Sequence, residues 1–171
     1  MPDNTLNTLF EDCDSRGIWV DWNNDSCCNS CSQMKNAKIL ETRKEYMGYV
    51  YTHARNMIAM IIDTINSTDG TATIYFGYDG IKDRDREKTA YAFASICKKH
   101  KYIVTWPEDV GAKIGIDVSD KDFPTGFYKI LIQNMKKFYK NTELNDILIA
   151  YCTKINKNYT IVDNLIQIDE N

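Results

Sequence analysis

Five residues in a row, Cys27-Cys28-Asn29-Ser30-Cys31, and one histidine, His53, have the types and spacing that suit chemistry. Cys28 and Cys31 stand two residues apart, the spacing with which two thiolates grip one zinc ion. Structural zinc takes four ligands. The chain has no second Cys-x-x-Cys, so a zinc here would rest on Cys27, Cys28 and Cys31 with a fourth ligand from His53, Cys13, Cys97 or Cys152. His53 fits best because it closes a predicted strand, which makes Zn2+ on Cys27, Cys28, Cys31 and His53 the expected metal site. The same pair also suits a dithiol–disulfide centre if a helix N-terminus lowers one thiol's pKa, and a helix is predicted just beyond, after Gln33. Against this, the active Cys-x-x-Cys of thioredoxin-like folds follows a strand in a different strand order. In the third reading the cysteines are small packing residues in a tight turn, with neither metal nor reactivity. The plain reading of His53 is a strand-end histidine bonded to a neighbour; a Cys–His nucleophile pair requires a thiol within hydrogen-bond reach.

Other chemistry is sparse. Asp79, Asp83 and Asp85 follow the strand predicted over residues 71–78, where ligands bind in open α/β sheets. Turn formation and helix capping account for them. The chain has no G-x-G-x-x-G, P-loop or G-x-S-x-G, so nucleotide-dependent and α/β-hydrolase chemistry lose their usual signatures. Trp19, Trp22 and Trp106, with many tyrosines on predicted strands, suit either an aromatic binding surface or ordinary sheet packing.

The bulk composition of the 171 residues, 43% hydrophobic and 26% charged, is that of a globular chain. A net charge of −3 without a long basic run disfavours a nucleic-acid-binding face. Lys98-Lys99-His100-Lys101 reads as a solvated helix end whose cations suit the dipole. No apolar run approaches the roughly 20 residues of a membrane helix, and Met1-Pro-Asp-Asn-Thr does not begin like a signal peptide. An intracellular, cytoplasmic protein with reduced thiols is therefore expected.

The elements that must position these residues follow from periodicity. Leu6, Leu9, Phe10 and Cys13 predict a helix over residues 4–15, stopped by Gly17, and Ile18 to Trp22 predict a strand. Gln33 to Tyr46 has helical composition with a thin apolar face. Gly48 to His53 alternates as a strand, and Ala54, Met57, Ile58, Ile61, Ile62 and Ile65 stripe a helix. Thr71 to Tyr78 alternates and ends in a Gly-containing turn, the pattern of a central strand. A helix to Lys99, begun by Asp83 or Asp85, buries Ala90, Phe93, Ala94 and Cys97. Lys101 to Trp106 and Lys113 to Val118 then predict an antiparallel pair. The expected fold is α+β, a small mixed βαβαββ sheet with both intervening helices on one face if each crossover is right-handed. Asp117 to Thr125, polar and carrying Pro124 with Gly126 next to it, marks a boundary between domains 1–118 and 119–171. In the second, Phe127, Leu131, Met135 and Phe138, then Leu144, Ile147, Leu148, Tyr151 and Ile155, predict a helical hairpin. It packs on the first domain or on a partner, and Thr160 to Ile168 is a weak edge strand.

Gly17-Ile18, the Cys27–Cys31 cluster, Gly48-Tyr-Val-Tyr-Thr-His53, Ile74-Tyr-Phe-Gly77, Tyr102 to Trp106 and Lys113-Ile-Gly-Ile116 recur in this order in one uncharacterised family. Over residues 5–118 the chain resembles the domain of unknown function family DUF6891. It departs from that pattern at Ser32, where members carry Gly, and at Ala54-Arg55-Asn56, where they favour Gln-Gln-Asp. The resemblance implies a fold of this layout and no activity. The sequence as a whole suggests a non-enzymatic interaction module with a protein partner or a second copy of itself, without nucleic acid or membrane. A thiol-dependent redox protein using Cys28 and Cys31 beside His53 is the alternative.

Overall fold

The computed structural model describes residues 5–24, 26 and 28–170. The expected positions of Cys27 and Asp25 lie outside them. Helix α1 (Leu6–Ser15) is capped by Thr5, whose hydroxyl accepts from the Asn7 amide at 3.3 Å, and it buries Leu6, Leu9, Phe10 and Cys13. It leads into strand β1 (Ile18–Asn24), helix α2 (Asn29–Leu40) and strand β2 (Gly48–His53). Helix α3 (Ala54–Asn66), strand β3 (Ala72–Gly80) and helix α4 (Asp85–Lys99) follow, then strands β4 (Val104–Thr105) and β5 (Ile114–Val118). A 3-10 turn (Asp120–Asp122), helices α5 (Phe127–Met135) and α6 (Asn141–Ile155), and strands β6 (Tyr159–Val162) and β7 (Leu165–Ile168) complete the order. The fold is mixed α+β: a five-stranded sheet in the order β1-β2-β3-β5-β4, and a separate two-stranded sheet of β6 and β7.

β3 is the central strand, as its alternation implies. β1 and β2 run parallel, joined across α2; every other pair in the large sheet is antiparallel. The crossover argument therefore does not apply to α3, which joins antiparallel neighbours β2 and β3. α3 and α4 nevertheless share a face, because Ile74 and Phe76 of β3, Val50 of β2 and Ile114 and Ile116 of β5 all point to it. α2 lies on the other face, where Leu40, Tyr46, Tyr49 and Tyr51 form a second, smaller core with Trp19.

Two boundaries differ from expectation. α2 begins at Asn29 and ends at Leu40, not Gln33 to Tyr46. Tyr46 leaves the helical path because its ring meets Trp19 edge-on at 5.5 Å and its hydroxyl donates to Asp14, a tertiary preference that overrides composition. Neither Asp83 nor Asp85 caps α4: Arg84 occupies the cap position without a side-chain bond, and Asp85 and Glu87 lie in the first turn, where they complement the dipole.

Past Val118 the chain does not leave the core. Phe127, Leu131, Met135, Leu144, Leu148 and Tyr151 are buried in the same cluster as the sheet. α5 packs on α3, β1 and β7, and α6 on α3 and β7, so both helices lie on the first part of the chain. The chain ends not in the predicted helical hairpin and edge strand but in the β6–β7 hairpin, whose Ile166 and Ile168 seat it on the helices. Phe138 falls beyond the end of α5 and is exposed.

Candidate functional site

Cys28 to Cys31 form a helix start, not a turn. Cys28 occupies the N-cap position of α2 in extended conformation, and the Ser32 amide bonds its carbonyl at 3.1 Å. Cys31 lies in the first turn and is exposed. Residues three apart are neighbours on a helix surface, so Cys28 and Cys31 share one side of the positive end of α2. That turn holds no acidic residue to offset the dipole.

His53 ends β2 and is at the same time the N-cap position of α3. It is only 6% exposed. Its Nε2 lies 3.0 Å from Asn29 Oδ1, so the second helix start reaches the histidine through an asparagine that stands between the cysteines. Burial, with the charges of Lys113 and Arg55 behind it, pushes the imidazole down to about 4. The ring is therefore neutral at pH 7. With Asn29 Oδ1 as acceptor, the proton sits on Nε2 and Nδ1 carries a bare lone pair. Nδ1 is buried and has no hydrogen-bond partner among the described residues. Lys113 donates to Asn56 Oδ1 at 3.2 Å, and its own proton affinity is lowered by burial. The Nδ2 atom of Asn56 is likewise buried without a partner.

Beside this group lies a pocket of about 100 Å³ whose walls include Asn29 and Gln33 of α2, Tyr51 of β2, Gly77 of β3, Arg86 of α4 and Lys113. Gly77 is required: a Cβ there would stand 2.3 Å from Cζ of Tyr51, whose ring lies across it. Burial raises the Tyr51 phenol; Asp79 and, more weakly, Cys28 add to the rise, and Arg86 opposes it.

Among the described residues no three His, Cys, Asp or Glu side chains gather as a metal-holding group. Cys28, Cys31 and His53 thus share a neighbourhood without forming a ligand set by themselves, and Cys27 lies outside the described residues. Cys13, Cys97 and Cys152 are buried free thiols, as their positions on apolar stripes imply. Burial pushes Cys13 up to about 12 and Cys152 to about 11. The basic patch behaves as a helix end: Lys99 and His100 both bond Asp12 of α1, at 3.3 and 2.8 Å.

Sequence reasoning missed a second constellation. Asp120, in the segment read as a domain boundary, accepts from Tyr128 and from Lys157 Nζ at 3.2 Å. Tyr128 and Tyr151 share a hydrogen bond of 2.6 Å. The Lys157 side chain is only 7% exposed and lies over the Tyr128 ring at 5.4 Å. Asn156 in left-handed conformation ends α6 and lets the Lys157 amide reach back to Cys152 O at 2.8 Å, which turns the lysine inward. Tyr151 lies on the apolar stripe of its predicted helix, but nothing periodic marks Asp120, Tyr128 or Lys157; only Asn156-Lys157 after a striped helix signals the turn. A larger cleft of about 540 Å³, walled by Thr71, Lys101, Ile103, Asp117 and Lys121, lies at the far end of β5 from Lys113.

The fold and site therefore define an α+β domain with a Cys-x-x-Cys helix start beside a neutral buried histidine. No family model matches the chain, and neither a curated protein nor a solved structure does. Among the described residues no helix is long and apolar enough to cross a membrane.

Proposed function

We propose that this chain is a non-enzymatic interaction module that pairs with a second copy of itself through the uncovered half of its sheet. The observation that supports it is the unequal cover of the two faces. One face of the sheet is buried under helices, whereas on the other α2 covers only the β1–β2 side. The rest of that face presents Thr73 and Tyr75 of β3, Gly115 and Asp117 of β5, and Ile103 and Thr105 at the β4 edge. Tyr75 is 41% and Ile103 67% exposed, with threonines beside them and the Asp117 carboxylate held by the Thr73 hydroxyl at 2.8 Å. β4 pairs with β5 alone, so its outer edge offers unpaired backbone groups, the template for strand addition. The stripes of α5 and α6, the expected association surface, are filled by the chain's own core. The order of motifs quoted above supports setting the chain beside family DUF6891.

Sedimentation equilibrium over a hundredfold range of protein concentration tests the reading. The expected result is a concentration-dependent dimer, dissociated by Ile103→Glu and by Tyr75→Glu. A monomer throughout, or a dimer that neither substitution disturbs, overturns it.

The placement of Cys28 and Cys31 favours a second reading, a thiol–disulfide redox protein. The pair starts a helix that follows one strand and precedes its parallel neighbour, a setting in which thiolates are stabilised. Two thiols would close to a disulfide, passing two electrons and two protons to a disulfide substrate. Rapid alkylation of the native protein at neutral pH, abolished in Cys28→Ser, supports it; alkylation only in denaturant defeats it. Zinc on Cys27, Cys28, Cys31 and His53 rests on the bare Nδ1 lone pair of His53, oriented by Asn29. About one zinc per chain by elemental mass spectrometry, lost in Cys28→Ser, is the result that reading requires; metal-free protein refutes it.

A further inference from the structure

The pocket between α2, β2, β3 and the segment before β5 has a feature that neither the association surface nor the thiols explain: its two cations lack counter-charges. Lys113 bonds only the neutral Asn56 amide, at 3.2 Å. Arg86 lies over the Tyr78 ring at 5.8 Å. Among the described residues no carboxylate stands within ion-pair distance of either, although both line one pocket of about 100 Å³. Asp79, whose charge reaches Tyr49 and Tyr51, turns Oδ1 to the Gly80 amide at 2.8 Å instead. The remaining walls supply the side-chain amides of Asn29 and Gln33 and the Tyr51 hydroxyl, while the Gly111 and Ala112 amides are held by Asp109. Asn29 also opens α2, so the positive end of a helix faces the same space.

Two unpaired cations converging with neutral donors are a poor arrangement for an empty site. Arg86 meets water, but Lys113 is solvated only in part, since burial already lowers its proton affinity. An anion would stabilise both. The space holds about three water volumes, the size of one tetrahedral oxyanion and too small for a nucleoside. The guanidinium of Arg86 offers a planar fork of donors and Lys113 a point charge, the usual pair for phosphoryl oxygens.

We propose that this pocket binds a tetrahedral oxyanion, a phosphate group either free or at the end of a small phosphate monoester, with Lys113 and Arg86 as its counter-charges. Association through the open sheet is not required for it.

Amide NMR titration with inorganic phosphate, at ionic strength held constant with sodium chloride, is the test. The expected result is saturable shifts at Gly77, Gly111 and Ala112. Lys113→Met and Arg86→Gln each weaken binding at least tenfold, whereas Lys88→Met, a charge lost elsewhere on α4, leaves it unchanged. A parallel titration with phenyl phosphate separates the sources: tighter binding assigns a monoester, weaker binding assigns free phosphate. Shifts that never saturate, or binding unaffected by both substitutions, overturn the proposal. Arg86 is exposed, so Arg86→Gln keeps the test decisive even if Lys113→Met fails to fold.

Discussion

Replacing Lys157 by methionine isolates the buried charge that holds the last third of the chain. Methionine keeps most of the aliphatic stem and removes the ammonium. In the native protein the Lys157 side chain is 7% exposed, and its ammonium lies 3.2 Å from Asp120 Oδ2 and 5.4 Å from the Tyr128 ring centre. Breaking a buried pair by deleting one partner costs about 3–5 kcal/mol, because the other charge stays behind uncompensated. Asp120 is 24% exposed and retains its bond from Tyr128, so water and a donor offset part of that cost. Loss of the cation over the ring adds roughly 1 kcal/mol. The expected destabilisation is about 2–3 kcal/mol, read as a lower urea midpoint with unchanged slope. In a chain of this length that lowers Tm by about 4–12 °C. The exposed Lys99–Asp12 pair provides the contrast: Lys99→Met should cost less than about 1 kcal/mol and lose its effect in high salt. Tyr128→Phe combined with Lys157→Met should show non-additive costs, since both side chains meet Asp120. A Lys157→Met protein within about 0.5 kcal/mol of wild type would refute the reasoning, because exposed pairs already reach that value.

His53 gives a pH signature. Its folded pKa of about 4 lies below the unfolded 6.5, so the unfolded chain binds the extra proton and stability falls as pH drops from 6.5 towards 4. His53→Gln should flatten that part of the urea-midpoint profile by about 2–3 kcal/mol; an unchanged slope would show that the imidazole is not buried neutral. Gly77→Ala should cost about 1–3 kcal/mol by denaturation, since its new methyl displaces the Tyr51 ring; a neutral effect would place that ring elsewhere. Iodoacetamide should spare Cys13, Cys97 and Cys152 in the native state, where burial holds each thiol protonated; their labelling without denaturant, mapped by mass spectrometry, would contradict the packing of α1, α4 and α6.

Where one face of an element meets one core, its periodicity was readable. Leu6, Leu9, Phe10 and Cys13 announced α1, and the alternation of Ile74, Phe76 and Tyr78 announced the central strand. Reading failed where a distant contact decided. α2 stops at Leu40 for the sake of Tyr46, whose partners Trp19 and Asp14 are remote in sequence. The polar segment around Asp120 looked like a linker because polarity alone does not distinguish solvated charge from charge matched by Lys157 and two tyrosines. At the candidate site, Cys28 and His53 were picked out for their residue types, with no sign in the sequence of whether they meet. Asn29, Asn56, Arg86 and Lys113 were not, because the fold brings them together from four separate elements or their flanks. No local pattern encodes that convergence.

The tyrosine rings laid over strand glycines carry a consequence for how this sequence can drift. Tyr51 covers Gly77 across β2 and β3, and Tyr75 with Thr73 covers Gly115 across β3 and β5. Each ring fits only where its neighbour has no side chain, so the strands interlock like teeth in notches. Sliding β3 by one residue against β2 would set the Tyr51 ring against Phe76 or Tyr78, and the new alignment would have nowhere to put it. The sheet is therefore keyed at two successive joints. Neither member of a ring-and-notch pair can change freely alone: enlarging the notch residue demands a smaller ring, so the two positions are expected to vary together among descendants of this chain.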